Sequence, residues 1–436
     1  MQHFAHSRHR SFARGPDWIF LPVLVALAAC SSDAMNLGSN EFAVEASECL
    51  VDPIEGDITA SSQEDVDALR GCRELPGSLR VVTPAGAPGS ISLEPLAELR
   101  SVGGPLRISG PITSLAGLES LESVGQLDLS DTALTDLLPL RSLTRVDTTA
   151  DSQVDGVQLD HGIQIDNCDQ LGDLRGLENL TTWGSLLIIQ SDGLVSLTGL
   201  QAPERVGAIS LVDTPQLGDV SALAPVRVAG FVALSGTAVT GFEELSLESA
   251  DTLSLTQNPA LTDLDGLSRL EEVGELYIYG NDALVRMDLP QLSVYDFVSI
   301  IGNPALLSLL LEPAAGWAWT GRTSSLENVP LGFQRRMFEV GDNPRVTNIT
   351  LTDGLDIEEV VIYRNASLAS LSLPRLQRSD TLWLQDNAAL ASVEVPQLNR
   401  VSTLTIRNNP ALSVAPFAGV QTFQSELTGN LDTLEP

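Results

Sequence analysis

Six aromatic side chains are the residues of this sequence best suited to binding chemistry. Four of them, Tyr277, Tyr279, Tyr363 and Trp383, fall in short alternating segments, and Trp317 and Trp319 fall in an irregular stretch between those segments. Surface aromatic rings stack on sugars and anchor protein partners. We therefore predict that the six residues form a ligand-binding face exposed to solvent. The alternatives are that the rings merely stabilise a sheet or lie beneath the irregular stretch, and that its tryptophans plug the fold locally.

Residues for catalysis and for metal binding are scarce. The chain has four histidines, and His161 is the single one outside the first nine residues, which disfavours hydrolysis through a histidine base and any multi-histidine metal site. Aspartates are abundant, yet no two carboxylates fall at matching outward positions of adjacent repeats. We predict no catalytic residues, no cofactor and no metal. A polysaccharide-active β-helix enzyme remains the alternative.

The four cysteines have different predicted roles. Cys49 and Cys72 stand 23 residues apart at the start of the folded region, and in an exported chain this favours a disulfide. Closing that loop would stabilise the fold by roughly 3 kcal/mol. Cys168 falls in the register of the repeat described below, so we predict a small, buried, unpaired side chain.

The beginning of the chain has the pattern of an export signal. Three arginines precede the apolar run "IFLPVLVALAA" (19–29), which is too short to span a bilayer. The run ends in "LAAC", which resembles the lipobox of bacterial lipoproteins. This resemblance implies cleavage of residues 1–29, lipidation of Cys30, a flexible tether over 30–48 and a lipid-anchored protein of the bacterial outer membrane or cell surface. A plain secreted protein is the alternative.

The charge excludes one class of partner. The formal net charge is -33, and the sequence contains arginine but no lysine. Such a surface repels nucleic acid, and no basic cluster is present to follow phosphates. We predict no nucleic-acid partner, and we expect contact with a membrane through the lipid anchor and with an unknown extracellular protein or glycan.

A repeated phrase organises the rest of the chain. "LSLTQNPAL" (253–261) returns as "LTIRNNPAL" (404–412), and related copies recur at regular intervals. The copies align on one small polar residue: Pro111, Thr132, Cys168, Ser191, Thr214, Thr237, Asn258, Asn281, Asn303, Asn343, Asn365, Asn387 and Asn409. The two largest steps, from Thr132 to Cys168 and from Asn303 to Asn343, mark insertions.

One copy shows how each repeat folds. Leu253 and Leu255 alternate with polar residues, which predicts a strand with its leucines inward. Asn258 follows where the chain must turn, and its amide can satisfy backbone groups at a buried corner. Stacked coils would place these residues in a ladder with steps of about 4.8 Å. We assign Cys168, Asn258, Asn281, Asn303, Asn343, Asn365, Asn387 and Asn409 to this ladder.

The return half of each coil distinguishes two solenoid classes. A period of roughly 22 residues also suits leucine-rich repeats with outer helices. However, Pro290, Pro374 and Pro396 interrupt the apolar segments where a helix would need the amide hydrogen. We therefore predict an all-β, right-handed parallel β-helix with coils of roughly 22 residues and a second and third strand in each coil. Thirteen coils would form a rod about 60 Å long.

The start of the folded region resembles a known family. Cys49, Gly56 with Ile58, a helical turn at 65–69, Cys72, and Gly77 with Leu79 and Val81 follow the opening of receptor L domains. These are β-helical ligand-binding modules of insulin-receptor and epidermal-growth-factor-receptor ectodomains and of some fungal cell-wall proteins. The resemblance covers about 49–423 and implies a binding module. A cysteine-rich domain, a transmembrane segment and a kinase are missing from the pattern, so receptor-type signalling is not implied.

The predicted organisation follows from the repeats and the insertions. Solenoid coils occupy 49–146 with a disulfide cap, 161–311, and 338–436 with a terminal cap. The insertions are 147–160 and the tryptophan-containing 312–337, either of which could instead separate two or three L domains. We predict a non-enzymatic surface protein for recognition or adhesion. Besides the enzyme, the alternative is a passive structural protein of the envelope.

Overall fold

The structure, a computed structural model, describes residues 56–83, 90–146, 153–154, 157–158, 162–242, 245–289, 291–311, 336–351 and 357–431. Its strands are β1 (Ile58–Ala60), β2 (Glu74–Leu75), β3 (Leu79–Val82), β4 (Ser101–Ser109), β5 (Ser123–Ser130), β6 (Arg145–Val146), β7 (Gln153–Val154), β8 (Val157–Gln158), β9 (Ile163–Asp166), β10 (Ser185–Ile189), β11 (Arg205–Val212), β12 (Val228–Ser235), β13 (Ser249–Thr256), β14 (Glu272–Tyr279), β15 (Arg286–Asp288), β16 (Ser293–Ile301), β17 (Ser308–Leu311), β18 (Met337–Gly341), β19 (Asn348–Leu351), β20 (Glu359–Tyr363), β21 (Ser370–Ser372), β22 (Arg378–Gln385), β23 (Ser392–Glu394), β24 (Arg400–Arg407) and β25 (Gln421–Thr428). One α-helix, α1 (Gln63–Ala68), and five 3₁₀ turns, η1 (Glu94–Leu96), η2 (Leu138–Leu140), η3 (Ser221–Leu223), η4 (Asp265–Leu267) and η5 (Ala415–Phe417), complete the described elements.

Two parallel sheets form the walls of the molecule. Among the described residues, eighteen strands make a long sheet, and β15, β17, β19, β21 and β23 make a short one. Strands β7 and β8 form a separate antiparallel hairpin. Neighbouring strands of the long sheet belong to successive coils, so every coil adds one layer. The predicted fold class, an all-β parallel solenoid whose coils have the length of the sequence repeat, is confirmed.

The interior is a continuous apolar column because the strands keep one register from coil to coil. Leu253 of β13 pairs with Leu276 of β14, which pairs with Val298 of β16, and all three are buried. Stacked columns of this kind run the length of the sheet and remove apolar area from water in every coil. The side chains between them point outward and define the external face.

Each coil turns at a corner with a fixed backbone conformation. The residue before every corner position has a positive φ: nine are not glycine, and the other five are Gly110, Gly236, Gly280, Gly302 and Gly429. Together they mark fourteen corners in the described chain. The left-handed conformation favours glycine and asparagine and costs other residues energy, so the corner needs stabilising contacts from the next residue.

A ladder of buried asparagines supplies that stabilisation. The backbone amide of Asn258 donates to Oδ1 of Asn281 at 3.0 Å, and the amide of Asn281 donates to Oδ1 of Asn303, also at 3.0 Å. Each side-chain Nδ2 donates to a carbonyl of the preceding coil, as Asn281 does to Leu255 at 2.9 Å. The same pattern continues through Asn343, Asn365, Asn387 and Asn409, and it reaches Asn430, which the sequence alignment missed.

Cys168 occupies one corner of the N-terminal half. It is free and buried, and its sulfur lies 3.0 Å from the hydroxyl of Thr132 in the coil before it. Its backbone amide donates to the hydroxyl of Ser191 in the coil after it, at 3.2 Å. Burial raises the pKa of this thiol, partly offset by the hydrogen bonds with Thr132. A thiol in this environment is unreactive.

The long sheet is continuous across both insertions. Strand β5 pairs with β9, which joins the coils on either side of 147–160. Strand β16 pairs with β18, and the Asn303 amide donates to Asn343 at 2.9 Å, which joins the coils on either side of 312–335. Coils before and after each insertion therefore share one hydrogen-bonded sheet.

The prediction of two further strands in each coil is wrong. The short sheet spans five coils, from Arg286 to Glu394, and contributes one strand to each. In five other coils the return segment contains a 3₁₀ turn, η1 to η5, and each turn buries an apolar side chain, as η4 does with Leu267. Pro374 and Pro396 lie in turns that follow strands of the short sheet, where a missing amide hydrogen costs nothing.

The two ends differ. At the N-terminal end, α1 begins at Ser62, whose hydroxyl accepts the Asp65 amide while the Asp65 carboxylate accepts the Ser62 amide, a capping box that fixes the first turn. At the C-terminal end, the inward Leu404 and Val401 of β24 have Ser425 and Thr422 of β25 as their register partners. Polar residues at inward positions are typical of a terminal capping repeat.

Candidate binding face

The candidate site is the outward side of the long sheet from β14 to β22, which we name the aromatic face. It comprises Tyr277, Tyr279, Phe297, Ser299, Glu339, Tyr363 and Trp383. The sheet register fixes their neighbours in two columns: Tyr277, Ser299, Glu339, Val361 and Trp383 form one, and Tyr279, Ile301, Gly341, Tyr363 and Gln385 form the other. Strand alternation turns these side chains outward because Leu276, Ile278, Leu382 and Leu384 fill the core.

Three rings meet at the beginning of the aromatic face. Tyr277 lies 5.0 Å from Phe297 in the next coil and 5.8 Å from Tyr279 in an edge-on arrangement. Aromatic pairs at these separations attract each other beyond their burial. The Tyr277 hydroxyl donates to Glu275 at 3.1 Å. Burial first, and this carboxylate second, raise the pKa of Tyr277, so the phenol is neutral at physiological pH.

A buried carboxyl occupies the centre of the aromatic face. Glu339 is 2% exposed, and it accepts a hydrogen bond from the Ser299 hydroxyl at 2.8 Å. Burial raises the pKa of Glu339, while hydrogen bonds from Ser299 and Tyr363 oppose the rise. Burial raises the pKa of Tyr279, and its interaction with the Ser299 hydroxyl opposes the rise. Two tyrosines, a serine and a glutamate thus form one polar network among the rings.

The absence of a side chain at Gly341 positions Tyr363. The Tyr363 ring lies directly on Gly341, where a Cβ atom would collide with the ring atoms. A cationic contact comes from Arg364, whose guanidinium lies 4.9 Å from the ring centroid. Burial and the Glu339 carboxyl raise the pKa of Tyr363. Because Gly341 has no side chain, the Tyr363 ring packs against it, and this packing places the Tyr363 hydroxyl near Glu339.

Trp383 ends the aromatic face and remains half-buried. Its indole Nε1 donates to Oε1 of Gln385 at 2.9 Å, two residues along the same strand. The indole is therefore oriented by a neighbour on its own coil, and its remaining surface is open to a ligand. No described contact connects Trp383 to the polar network around Glu339.

The predicted exposure of the rings is wrong for Tyr277, which is 8% exposed, whereas Tyr279, Tyr363 and Trp383 are half-buried. Outward side chains on adjacent coils stand one strand spacing apart and cover one another. Trp317 and Trp319 lie outside the described residues. Phe297, Ser299 and Glu339 were not predicted as members of the site, although their offset before the corner asparagine would have placed them there.

The cysteine predictions divide between described and undescribed residues. Cys72 is buried, and Cys168 is a free thiol. Cys49 and Cys30 lie outside the described residues. The pairing of Cys49 with Cys72 and the lipidation of Cys30 stay predictions.

The outward side of the N-terminal coils is charged rather than aromatic. Arg107 of β4 lies 3.5 Å from Asp128 of β5, and the Ser130 hydroxyl donates to Asp128 at 2.6 Å. Burial raises the pKa of Asp128, and burial together with neighbouring carboxylates raises that of Asp166. In the described ranges, no group of three or more residues has the arrangement of a metal site. The described helix is not long and apolar enough to cross a membrane.

Comparison with known proteins finds a distant relative. The chain is 28% identical over 193 residues to a protein named ecm33 from Aspergillus fumigatus, a match covering 43% of this chain and 42% of that protein. The chain thus spans less than half the length of this curated relative. No family model matches the chain. A crystal structure of an internalin (inlF) from Listeria monocytogenes covers 86% of this chain and 90% of its own, at 13% identity and a TM-score of 0.29.

Proposed function

We propose that this protein is a non-enzymatic recognition or adhesion protein of a cell surface, which binds a protein or glycan on its aromatic face. The observation that carries the proposal is the cluster of four rings around a buried polar network on one rigid sheet. Rings held in place lose little conformational freedom when a ligand binds, and such rings dominate binding energies.

Other features fit a binding protein better than an enzyme. Tyr277 and Tyr363 keep their protons at physiological pH, and the buried Glu339 carboxyl accepts a hydrogen bond from the Ser299 hydroxyl. A glycosidase of the usual kind needs two carboxyl groups on either side of the bond to be cleaved. The rings and hydroxyls of the aromatic face suit recognition.

The predicted cellular setting completes the proposal. The signal at 1–29, lipidated Cys30 and the tether at 30–48 would anchor the solenoid to a bacterial outer membrane, with coils from 49 to 436. The Cys49–Cys72 disulfide would close its first coil. The resemblance of 49–81 to receptor L domains supports a ligand-binding role in the same setting.

Binding is tested on the purified full-length chain. A glycan array coupled to a reducing-end assay separates recognition from cleavage, and a pull-down from native membranes searches for protein ligands. Trp383→Ala should weaken capture by roughly 2 kcal/mol, the loss typical of a binding hot spot. The matched control is Leu187→Ala, which truncates an outward side chain of the long sheet in an earlier coil.

Two outcomes would reject the proposal. Release of new reducing ends would identify a polysaccharide-active enzyme. Equal capture by wild type, Trp383→Ala and Leu187→Ala would remove the aromatic face from recognition and leave a structural role in the envelope.

The anchor and the disulfide have separate tests. Cys30→Ala should release the protein from membranes, and retention of this variant would contradict lipidation. Non-reducing peptide mapping should link Cys49 to Cys72 and leave Cys168 unlinked.

A further inference from the structure

The charged residues of the aromatic face are of one sign. Strands β14, β16, β18, β20 and β22 each have three outward positions in the register of the sheet. Among these described positions, Glu275, Glu339 and Glu359 are acidic and none is basic. The whole chain has 57 acidic residues against 24 basic ones. A ligand of this face therefore approaches a negative surface, which favours a basic partner and repels an acidic one.

Two ring donors of the aromatic face are already used by the protein itself. The Tyr277 hydroxyl donates to Glu275 at 3.1 Å, and the Trp383 indole Nε1 donates to Gln385 at 2.9 Å. Sugar hydroxyls need donors as well as acceptors, whereas a guanidinium or an ammonium group needs acceptors alone. The face therefore suits a basic side chain better than a sugar.

A chain of hydrogen bonds links Trp383 to a carboxylate at the edge of the aromatic face. Gln385, which accepts the indole Nε1 hydrogen, donates through Nε2 to Oδ2 of Asp386 at 2.8 Å. Oδ1 of Asp386 accepts Nδ2 of Asn408 in the next coil, also at 2.8 Å. Both donors are neutral amides, so they do not offset the charge of the carboxylate. Within the described chain Asp386 forms no ion pair, although Arg364 attracts it at longer range.

An earlier coil shows what such a carboxylate holds. Asp342 occupies the same corner position two coils before Asp386, and it accepts two hydrogen bonds from the Arg364 guanidinium, at 2.7 and 2.6 Å. The same guanidinium lies 4.9 Å from the centroid of the Tyr363 ring, so one ring and one carboxylate hold it together. Asp386 is followed in the next coil by Asn408 instead of an arginine.

We propose that the ligand of the aromatic face is a basic segment of a partner protein, and that one of its arginines stacks on the Trp383 indole and pairs with Asp386. This inference rests on the proposed function, since it names the ligand of that same face. Arginine fits better than lysine, because a planar guanidinium lies flat on a ring and donates to a carboxylate at the same time. At the other end of the face, Glu275 and Phe297 are register partners and offer a second carboxylate and ring.

The experiment measures binding of a basic peptide to the full-length chain by fluorescence anisotropy at low ionic strength. The probe is a fluorescent nonapeptide of glycine and serine with three arginines at alternate positions. In the comparison peptide every arginine is replaced by citrulline, which has the shape of arginine without its charge. The arginine peptide should bind about tenfold more tightly or better, and its affinity should fall as salt is added.

Two variants locate the site. Trp383→Ala should weaken binding of the arginine peptide by about tenfold or more, and Asp386→Asn by about fivefold or more. Asp386→Asn should leave binding of the citrulline peptide unchanged, which a general structural effect would not do. Asp386→Glu, which keeps the charge, should bind the arginine peptide more tightly than Asp386→Asn does, and melting curves must show every variant folded.

Asp213→Asn is the matched control. Asp213 is an exposed aspartate at the same corner position, in a coil before the aromatic face. Loss of its charge should change the affinity for the arginine peptide by less than about twofold.

Four results would overturn the inference. They are no binding of the arginine peptide at about 1 mM, equal binding of the citrulline peptide, an equal loss in Asp213→Asn, and tighter binding of a glucosamine tetrasaccharide. The last result would assign the aromatic face to a cationic glycan.

The outcome for Trp383→Ala separates this inference from the proposed function. If the arginine peptide fails to bind while Trp383→Ala still weakens capture on the glycan array or in the pull-down, the proposed function stands with another ligand. If Trp383→Ala changes neither capture nor peptide binding, both are rejected.

Discussion

Replacement of Asn365 by alanine tests what holds the coils together. The Asn365 side chain accepts the backbone amide of Asn343 at 3.1 Å and donates to the Val340 carbonyl at 3.0 Å and to Oδ1 of Asn387 at 3.3 Å. All of these groups are buried. Truncation to alanine therefore removes three buried hydrogen bonds at once.

The size of the effect follows from these contacts. A protein hydrogen bond contributes about 1 kcal/mol net, and a buried polar group left without a partner costs about 1 to 3 kcal/mol. Oδ1 of Asn387 retains the Asn365 backbone amide as a donor, and the Val340 carbonyl retains its place in the parallel ladder of β18 and β20, so the Asn343 amide is the group left unsatisfied. We expect Asn365→Ala to lower the free energy of unfolding by about 3 to 5 kcal/mol.

Two measurements are needed because long repeat arrays do not unfold in one step. Urea unfolding followed by circular dichroism measures the loss of stability. Hydrogen exchange with peptide resolution shows where it occurs: exchange should rise in 337–363 and 378–387 and remain unchanged before 235. The control is Asn399→Ala, an exposed asparagine of the same coil stack, which should change stability by less than about 0.5 kcal/mol.

A conservative variant adds a pH test of the same reasoning. Asn365→Asp keeps an acceptor for the Asn343 amide but buries a carboxyl, and burial raises the pKa of a carboxyl above its unfolded value. Stability of this variant should therefore be greatest below the unfolded pKa and fall as the pH rises through the folded pKa. Equal stability of Asn365→Ala and Asn399→Ala, or a pH-independent Asn365→Asp, would refute the assigned role of the ladder.

Three further outcomes are expected. Burial raises the pKa of Glu339, so this residue stabilises the fold fully below the unfolded pKa and loses that effect as the pH rises through the folded pKa. Glu339→Gln should therefore match the melting temperature of wild type near pH 4 and exceed it by pH 8. A difference in melting temperature that stays constant with pH would contradict this. Gly341→Ala should displace the Tyr363 ring and lower the pKa of its phenol towards the ordinary value. Ultraviolet titration measures this pKa, and an unchanged titration would show that Gly341 does not determine the position of the ring. Thr214 is a buried corner residue whose hydroxyl has no hydrogen-bond partner among the described residues. Thr214→Asn should stabilise the chain by about 1 kcal/mol, because the new side chain can accept the Ser191 amide. A lower urea midpoint of this variant would contradict the prediction.

The repeat was predictable because its cause is local. Leu253 and Leu255 alternate with polar neighbours, and Asn258 follows at a fixed offset, so a single copy specifies a strand, an inward side and a corner. Comparing copies then specifies the stacking. The fold class was also predictable, because the prolines and the short return segments leave no room for outer helices. The conformation of the return segment was less predictable, because a 3₁₀ turn and a short strand have similar apolar spacing.

The site was less predictable because its properties depend on contacts between coils. Tyr277 was correctly oriented outward by alternation, but its burial depends on Phe297 in the next coil. The pairing of Arg378 with Arg400 in the sheet register was missed for a related reason. Arg378 and Arg400 are separated by one whole coil of the chain, and their proximity becomes visible only after the register has been fixed.

The asparagine ladder has a direction, and that direction bears on biosynthesis. Every corner amide from Asn258 to Asn409 donates to a side chain of the coil that follows it in the chain. A chain that leaves the ribosome or crosses a membrane from its N-terminus therefore cannot complete a corner until the next coil has emerged. We expect assembly to trail the emerging chain by one coil. Removing coils from the C-terminal side strips an acceptor from the last remaining amide, whereas removing them from the N-terminal side leaves every remaining amide with its acceptor.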